Sequence, residues 1–315
     1  MESKVDLSVI IVNWNTKNLL LNCLDSVFKT IKEISFEIWV VDNGSTDGSV
    51  EAVKSKFPSV KIIKNKKNLG FAKANNQALK QISGRYAVLL NTDTILTDGA
   101  LEKIFFFMED NPEVGICGGQ LLNEDGSKQR CFGNVPTLIT DLLSKSLLEI
   151  LFPKRYFSKR QKYEIPTEVE SITGACMVVR KKAIDEIGLL DEKFFLYYEE
   201  TDWCYRMRQK GWKVFYHPQA YIYHLRGKSS EKTQNKAIIE FWKSRYNFFK
   251  KHYGDKKKFF LETGLLIKLI INILLYSLLT VITFFNKKFT TRLKRCVHIF
   301  IWHIRGKPKE YGLKP

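Results

Sequence analysis

Apolar and polar positions alternate in a regular way over the first third of the chain. LSVIIV (7–12) is a short apolar run rich in β-branched residues. Leu20, Leu24, Val27 and Ile31 then recur at helical spacing. FEIWVV (36–41), VKIIK (60–64) and RYAVLLN (85–91) repeat the strand signal. The stretches between them, VEAVKSKF and NKKNLGFAKANNQALKQI, read as helices. Short strands separated by helices predict βαβ units and an α/β fold with a mostly parallel central sheet flanked by helices.

The polar clusters fall just after these strands, at Asn13, at Asp42 to Asp47 and at Asn91 to Asp93. Ligands of open α/β sheets bind at the carboxyl ends of strands, so three such clusters point to one cleft. Beyond residue 112 the pattern loosens. A strand and a turn at Asp125–Gly126 are expected, then an apolar helix in 137–152 and a strand entering a helix in SITGACMVVRKKAI. Next come a strand, a break at Pro218, and a second aromatic run ending at His224.

The last part differs in character. Residues 264–285 are 22 largely apolar positions holding one lysine, with basic runs on both sides. That length suffices to span a bilayer, but the flanks show no charge asymmetry. An in-plane helix or hairpin on an anionic membrane fits equally well, and a buried core helix is the remaining reading. We expect a catalytic domain over 1–250 and a basic, hydrophobic helical appendage over 251–315.

Composition narrows the function. At 44% hydrophobic and 13% aromatic residues the chain can build a large core. Its 51 Lys and Arg against 33 Asp and Glu give a net charge of +18, which favours phosphate-bearing or anionic partners. The six cysteines show no C-x-x-C spacing and read as reduced thiols. The first apolar run is too short for a signal peptide, so a cytoplasmic location is expected.

Several residues offer chemistry. Asp42 at a strand end can accept hydrogen bonds from a ribose or base, with Gly44 and Ser45 allowing close approach. An ordinary loop with Asp47 as helix cap explains the same residues. Asn68, Gly70 and Asn75 sit among Lys66, Lys67 and Lys73, at either a phosphate site or a plain helix start. Asp93, with Asn91 before it, suits Mg²⁺ or Mn²⁺, and His224 could add an imidazole. In FFLYYEETDWCYRMRQKGW (194–212) an aromatic strip runs into Glu199, Glu200 and Asp202. These acids are either helix-start residues or include a buried base.

Taken together, SVIIVNWNTKNLLLNCLDSV, VVDNGSTDGS, NLGFAKANNQAL, LLNTDTIL, TGACMVVRKKAIDEIGLLDEKFFLYYEETDWCYR and YHLRGKSS, in that order, resemble the family 2 glycosyltransferases. These are inverting enzymes of GT-A fold, and the nearest likeness is to the bacterial rhamnosyltransferase and galactofuranosyltransferase branch. The resemblance implies a nucleotide-sugar site built from Asn13, Asp42, Asn43, Gly44, Ser45, Asn68, Gly70, Asn75, Asn91, Thr92, Thr173 and Gly174. It implies a divalent cation, Mn²⁺ or Mg²⁺, at Asp93 and His224, with Asn91 where many relatives carry an acid. It puts Glu200 on the catalytic base, where relatives usually have Asp, and leaves Glu199 and Asp202 as alternatives. The implied partners are a UDP- or dTDP-sugar donor, a lipid-linked or saccharide acceptor, and an anionic membrane surface on the cytoplasmic side. No specific nucleic acid is expected, although a nucleotide- or nucleic-acid-binding protein without transferase activity is the competing reading. A nucleotidyltransferase would want a glycine-rich basic loop after the first strand, which IVNWNTKN lacks.

Overall fold

A computed structural model describes residues 5–153, 155–156, 163–225 and 234–313. The expected alternation opens it: β1 (Leu7–Asn13), α1 (Lys17–Thr30), β2 (Phe36–Asp42), α2 (Ser49–Lys56), β3 (Lys61–Lys64), α3 (Phe71–Leu79) and β4 (Tyr86–Asn91). Then follow β5 (Thr94–Leu96), α4 (Ala100–Asp110), β6 (Val114–Leu122), β7 (Phe132–Gly133), α5 (Leu138–Leu142) and α6 (Lys145–Leu151). The chain continues through β8 (Thr167–Glu168), β9 (Ser171–Ile172), β10 (Cys176–Arg180), α7 (Lys181–Ile187), α8 (Glu199–Gln209) and β11 (Lys213–His224). It closes on α9 (Gln234–Ile282) and α10 (Lys287–Ile304).

The main sheet has the order β3-β2-β1-β4-β10-β6-β11-β5, with β8 added on β11. Strands β1, β2, β3, β4, β6 and β11 run one way, and β5, β8 and β10 run the other. β1 lies in the middle, covered on both faces. That is why LSVIIV is an unbroken apolar run rather than an alternating one. Leu20, Leu24 and Val27 of α1 are fully buried in the core, as their spacing predicted.

Two local expectations change. The 137–152 segment is two short helices parted at Leu143–Ser144, the first opened by a reciprocal cap between Thr137 and Thr140. Pro218 does not end its strand. β11 continues past it, and the pairing with β6 slips from His217↔Gly119 to Tyr221↔Gln120, so Pro218, Gln219 and Ala220 bulge out. A bulge removes the need for the amide hydrogen that proline lacks.

A second apolar cluster joins Val135, Phe194 and Tyr198 to Tyr246, Phe248, Leu261 and Leu269 of α9 and Trp302 of α10. Helix α9 runs through residue 250 and bends at Gly254, whose φ of 81° breaks the helical path. A helix within 235–282 is long and apolar enough to cross a membrane, and little of its apolar window is buried. A core helix would bury most of that window. α10 packs back along α9, and the turn between them holds Phe284 and Phe285 at positive φ, 92% and 72% exposed.

Candidate functional site

The sheet order places a topological switch point between β1 and β4, because the chain moves outward to β2 and β3 and then returns to the other side of β1. Ligand clefts form at the carboxyl ends of strands at such a point. A cavity of about 150 Å³ lies there, lined by Trp14 and Thr16 after β1, Asn91, Thr92 and Asp93 after β4, and Asn43, Asn68 and Gly70. The three polar clusters singled out in the sequence therefore converge.

Their roles divide. Asp42 is fully buried and faces inward. Its Oδ1 accepts from Asn13 Nδ2 at 2.9 Å and its Oδ2 from the Ser45 amide at 3.0 Å. Asn13 Nδ2 also reaches Ser45 Oγ at 3.0 Å. Asn13 Oδ1 accepts from Thr16 Oγ1 at 2.7 Å, and that hydroxyl lies 3.0 Å from Thr92 Oγ1. One chain of polar contacts thus locks the ends of β1, β2 and β4 together. Asp47 accepts from Lys17 N at 2.9 Å and Ser49 N at 3.1 Å, the first amides of both α1 and α2. Despite partial burial, these bonds and the Ser49 hydroxyl hold its carboxyl below the usual range.

Asn43 Nδ2 donates to the Gly70 carbonyl at 3.2 Å and to Asn68 Oδ1 at 3.3 Å. Gly44 packs so closely that a Cβ there would meet the Lys67 backbone at 2.9 Å. The start of α3 is not open to a phosphate through its first amide, because Phe71 N donates to the Phe195 carbonyl at 2.7 Å. Gly70 makes this approach possible. Its φ is 85°, and a Cβ would stand 2.5 Å from Phe195 O. Asn75 lies inside, donating to the Phe71 carbonyl at 2.9 Å, and does not line the cavity.

Asp93 is buried, and its Oδ1 lies 3.5 Å from His224 Nε2. β5 pairs with β11 and sets these residues side by side, with His224 opposite Thr94. His224 Nδ1 contacts Gln129 Oε1 at 3.0 Å, while Gln129 Nε2 donates to the His224 carbonyl at 2.6 Å. The Gln129 contact at Nδ1 fixes the ring so that Nε2 faces Asp93. A ring held in this way could serve as an oriented metal ligand. The described residues contain no cluster of three or more ligating side chains, and a carboxylate–imidazole pair alone would leave a cation most of its ligands to find elsewhere.

The three acids of 194–212 separate cleanly. Asp202 is fully buried and turned away from both cavities. Arg206 Nε lies 2.8 Å from its Oδ2, and Lys251 Nζ and His252 Nε2 lie 2.7 and 2.6 Å from its Oδ1. Burial opposes its charge, but His252, Lys251 and Arg206 outweigh burial and hold it at about 2. Glu199 is buried. Burial and then the neighbouring Glu200 carboxylate push it well above the usual carboxylate range. Glu200 is half-buried. Burial pushes it up to about 6, against the pull of amides at the start of α8 and a hydrogen bond from Glu199. Tyr197 and Tyr198 precede the pair at φ of 68° and 70°, a strained entry that neither tyrosine would adopt unforced.

Glu200 opens on a larger cavity of about 700 Å³, with Thr173, Tyr197, Tyr198 and Thr201 around it. Gly174 backs it, with its Cβ direction 3.4 Å from Glu200 Cβ. Phe195 and Leu196 line the smaller cavity, and Tyr197, Tyr198, Glu200 and Thr201 line the larger. One segment therefore reaches both cavities, and Glu200 faces the larger. Sequence reasoning missed Trp14, Thr16, Gln129 and the cations of the larger cavity. An exposed tryptophan directly after a buried strand was the one available signal for Trp14.

The glycosyl transferase family 2 model matches residues 8–188. An N-acetylglucosaminyl-diphospho-decaprenol L-rhamnosyltransferase of Mycobacterium tuberculosis is 26% identical over 226 residues, 67% of this chain and 73% of the relative. A low-salt glycan biosynthesis hexosyltransferase of Haloferax volcanii is 26% identical over 211 residues, 65% of this chain and 62% of that one. Among solved structures, a mannosyltransferase of Pyrobaculum calidifontis in complex with GDP-Man and Mn²⁺ superposes with a TM-score of 0.54 at 13% identity, covering 98% of this chain and 89% of that one. GalNAc-T7 with UDP, GalNAc and Mn²⁺ gives 0.55 at 18%, covering 71% of this chain and 44% of that one. The sheet order, the paired cavities and the matched span agree: this chain belongs to glycosyl transferase family 2 and has the GT-A fold.

Proposed function

We propose that the protein is an inverting glycosyltransferase that moves a hexosyl or deoxyhexosyl group from a UDP- or dTDP-sugar to a hydroxyl of a lipid-linked or polysaccharide acceptor. The observation that carries this is Glu200 on the larger cavity, in a segment whose preceding residues Phe195 and Leu196 line the polar cavity at the strand ends. The smaller cavity is the donor side, with Trp14 offering an exposed ring, 37% accessible, for a base. The larger one is the acceptor side.

In a single displacement the acceptor oxygen forms its bond to the anomeric carbon as the bond to the diphosphate breaks. The hydroxyl proton passes to a Glu200 oxygen, and the electron pair leaves with the nucleoside diphosphate. A carboxylate raised to about 6 is still ionised at neutral pH and is a stronger base than an ordinary glutamate. Burial favours the protonated form of Glu199, whose hydrogen bond to Glu200 favours the ionised base. Asp93 and His224 would hold a divalent cation that neutralises charge on the leaving diphosphate.

The α9–α10 hairpin supports membrane association. The exposed face of α9 carries Ile270, Ile271, Leu274 and Leu278. α10 carries Lys287, Lys288, Arg292, Lys294 and Arg295. Because α10 packs on α9, a spanning α9 would draw those charges into hydrocarbon at about 3 kcal/mol each. A hairpin lying in the interface of an anionic, cytoplasmic leaflet avoids this. The reading is tested by thermal-shift titration of UDP-, dTDP- and GDP-sugars with and without Mn²⁺. One donor class should stabilise the protein, and uniform silence would defeat the reading.

A further inference from the structure

The apolar stretch of α9 holds one lysine, and a charge in such a stretch needs a reason. Lys268 lines the larger cavity, together with Leu265, Leu269 and Asn272 on the same side of α9. Arg130, Lys145 and Arg245 line the same space, against the acids Asp141, Glu149 and Glu200. Two of those acids are already matched. Glu149 lies 3.0 Å from Arg130, and Asp141 lies 3.3 Å from Arg245. Lys145 and Lys268 form no ion pair among the described residues, yet both act on the Asp141 carboxylate alongside Arg245. Burial, and then the charges of Arg130 and Arg245, hold Lys145 below the ordinary lysine range. Cations gathered in a cavity without full neutralisation create a positive potential that an anion relieves.

The second observation concerns which anion. The helix that supplies Lys268 and Asn272 to the cavity exposes Ile267, Ile270, Ile271 and Leu274 on its other side. From Lys268 to the end of α9 is about 21 Å at 1.5 Å per residue. A ligand using this helix meets lysine at its head and hydrocarbon along its length.

We infer that Lys145 and Lys268 bind the phosphate or diphosphate of a lipid-linked acceptor whose chain lies along the exposed face of α9, with the acceptor hydroxyl turned toward Glu200. This rests on the glycosyltransferase reading above and names the acceptor class for it. The soluble alternative, a free phosphate, shares the chemistry and not the helix.

The test uses the full chain in detergent micelles, with farnesyl diphosphate, inorganic pyrophosphate and farnesol as probes. Farnesyl diphosphate should bind best. Lys145→Ala and Lys268→Ala should each weaken it roughly tenfold, the scale of one charge-assisted hydrogen bond. Lys268→Arg should retain it, and weak farnesol binding should not change. UDP and dTDP binding by the same variants checks the fold, and Lys→Gln singles replace any variant that fails to fold. Unchanged farnesyl diphosphate affinity in the double variant overturns the inference. Pyrophosphate binding as tightly as farnesyl diphosphate, and lost with the same lysines, overturns its lipid part. If no nucleotide sugar binds the wild type, the glycosyltransferase reading itself fails, whatever the lysines do.

Discussion

The carbonyl oxygen of Phe195 accepts the amide hydrogen of Phe71 at 2.7 Å, over a glycine that has no room for a side chain. This contact ties the donor-side loop before α3 to the segment that carries Glu200. Gly70→Ala brings a methyl against that oxygen and strains a φ of 85°. We expect a loss of roughly 1–3 kcal/mol in stability. Nucleotide affinity should fall with it, read by thermal unfolding and by titration with the donor nucleotide. Unchanged nucleotide binding would show that the two loops are not coupled.

Glu200→Gln should reduce turnover by at least a hundredfold while leaving donor affinity near wild type, since only proton acceptance is lost. In the wild type, rate should fall as pH drops through about 6, where Glu200 takes up a proton. Glu199 has a separate signature. Its bond to Glu200 favours the ionised base, so Glu199→Leu should raise the Glu200 pKa and shift the acid limb to higher pH. Glu199→Gln, which can still donate, should shift it less. A pH profile that does not move in either variant removes Glu199 from this role.

Asp202 ties α8 to α9 through Lys251 and His252. Its carboxyl is depressed, so its stabilisation is complete above the ordinary Asp range near 3.8 and is lost as pH falls toward about 2. Asp202→Asn should cost on the order of 3 kcal/mol, because it strands partly buried cations. Limited proteolysis should then cut between the catalytic sheet and the C-terminal helices earlier than in the wild type. Equal cleavage rates would mean that the aromatic cluster alone holds them.

Gln129 touches His224 Nδ1 and not the place of any cation. Gln129→Leu should therefore weaken Mn²⁺ binding by about 10–100-fold while Asp93→Ala abolishes it, followed by Mn²⁺ electron paramagnetic resonance in the presence of UDP. Equal affinities in wild type and Gln129→Leu would refute an oriented His224 ligand.

Phe284 and Phe285 tip the hairpin and are almost bare. Replacing both with Asp should remove roughly 3–6 kcal/mol of apolar insertion. It should abolish sedimentation with anionic vesicles and leave nucleotide binding intact. Co-sedimentation that persists would assign membrane binding to the basic face of α10.

The sequence by itself determined the alternation of strands and helices, because a central strand covered on both faces must be apolar throughout. LSVIIV and YAVLL say so without help. It also marked the polar clusters after those strands, although Asn13, Asp42 and Asp47 turn out to lock strand ends and cap helices as well. That Glu200 alone of the three acids opens on a cavity was not legible. Which of three neighbouring acids faces a cavity depends on partners fifty residues away, and Lys251 and His252 claim Asp202 only once α9 has folded back. The aromatic strip FFLYY reads as a lining that lifts a pKa. In the structure Phe194 and Tyr198 also dock the C-terminal helices, because an apolar surface will take whatever apolar partner the fold brings to it. The lone lysine of the apolar helix was visible as an oddity, and only the packing of α6 against the same cavity gave it neighbours. Spacing along a chain fixes local faces. Distance between charges is a property of the assembled whole.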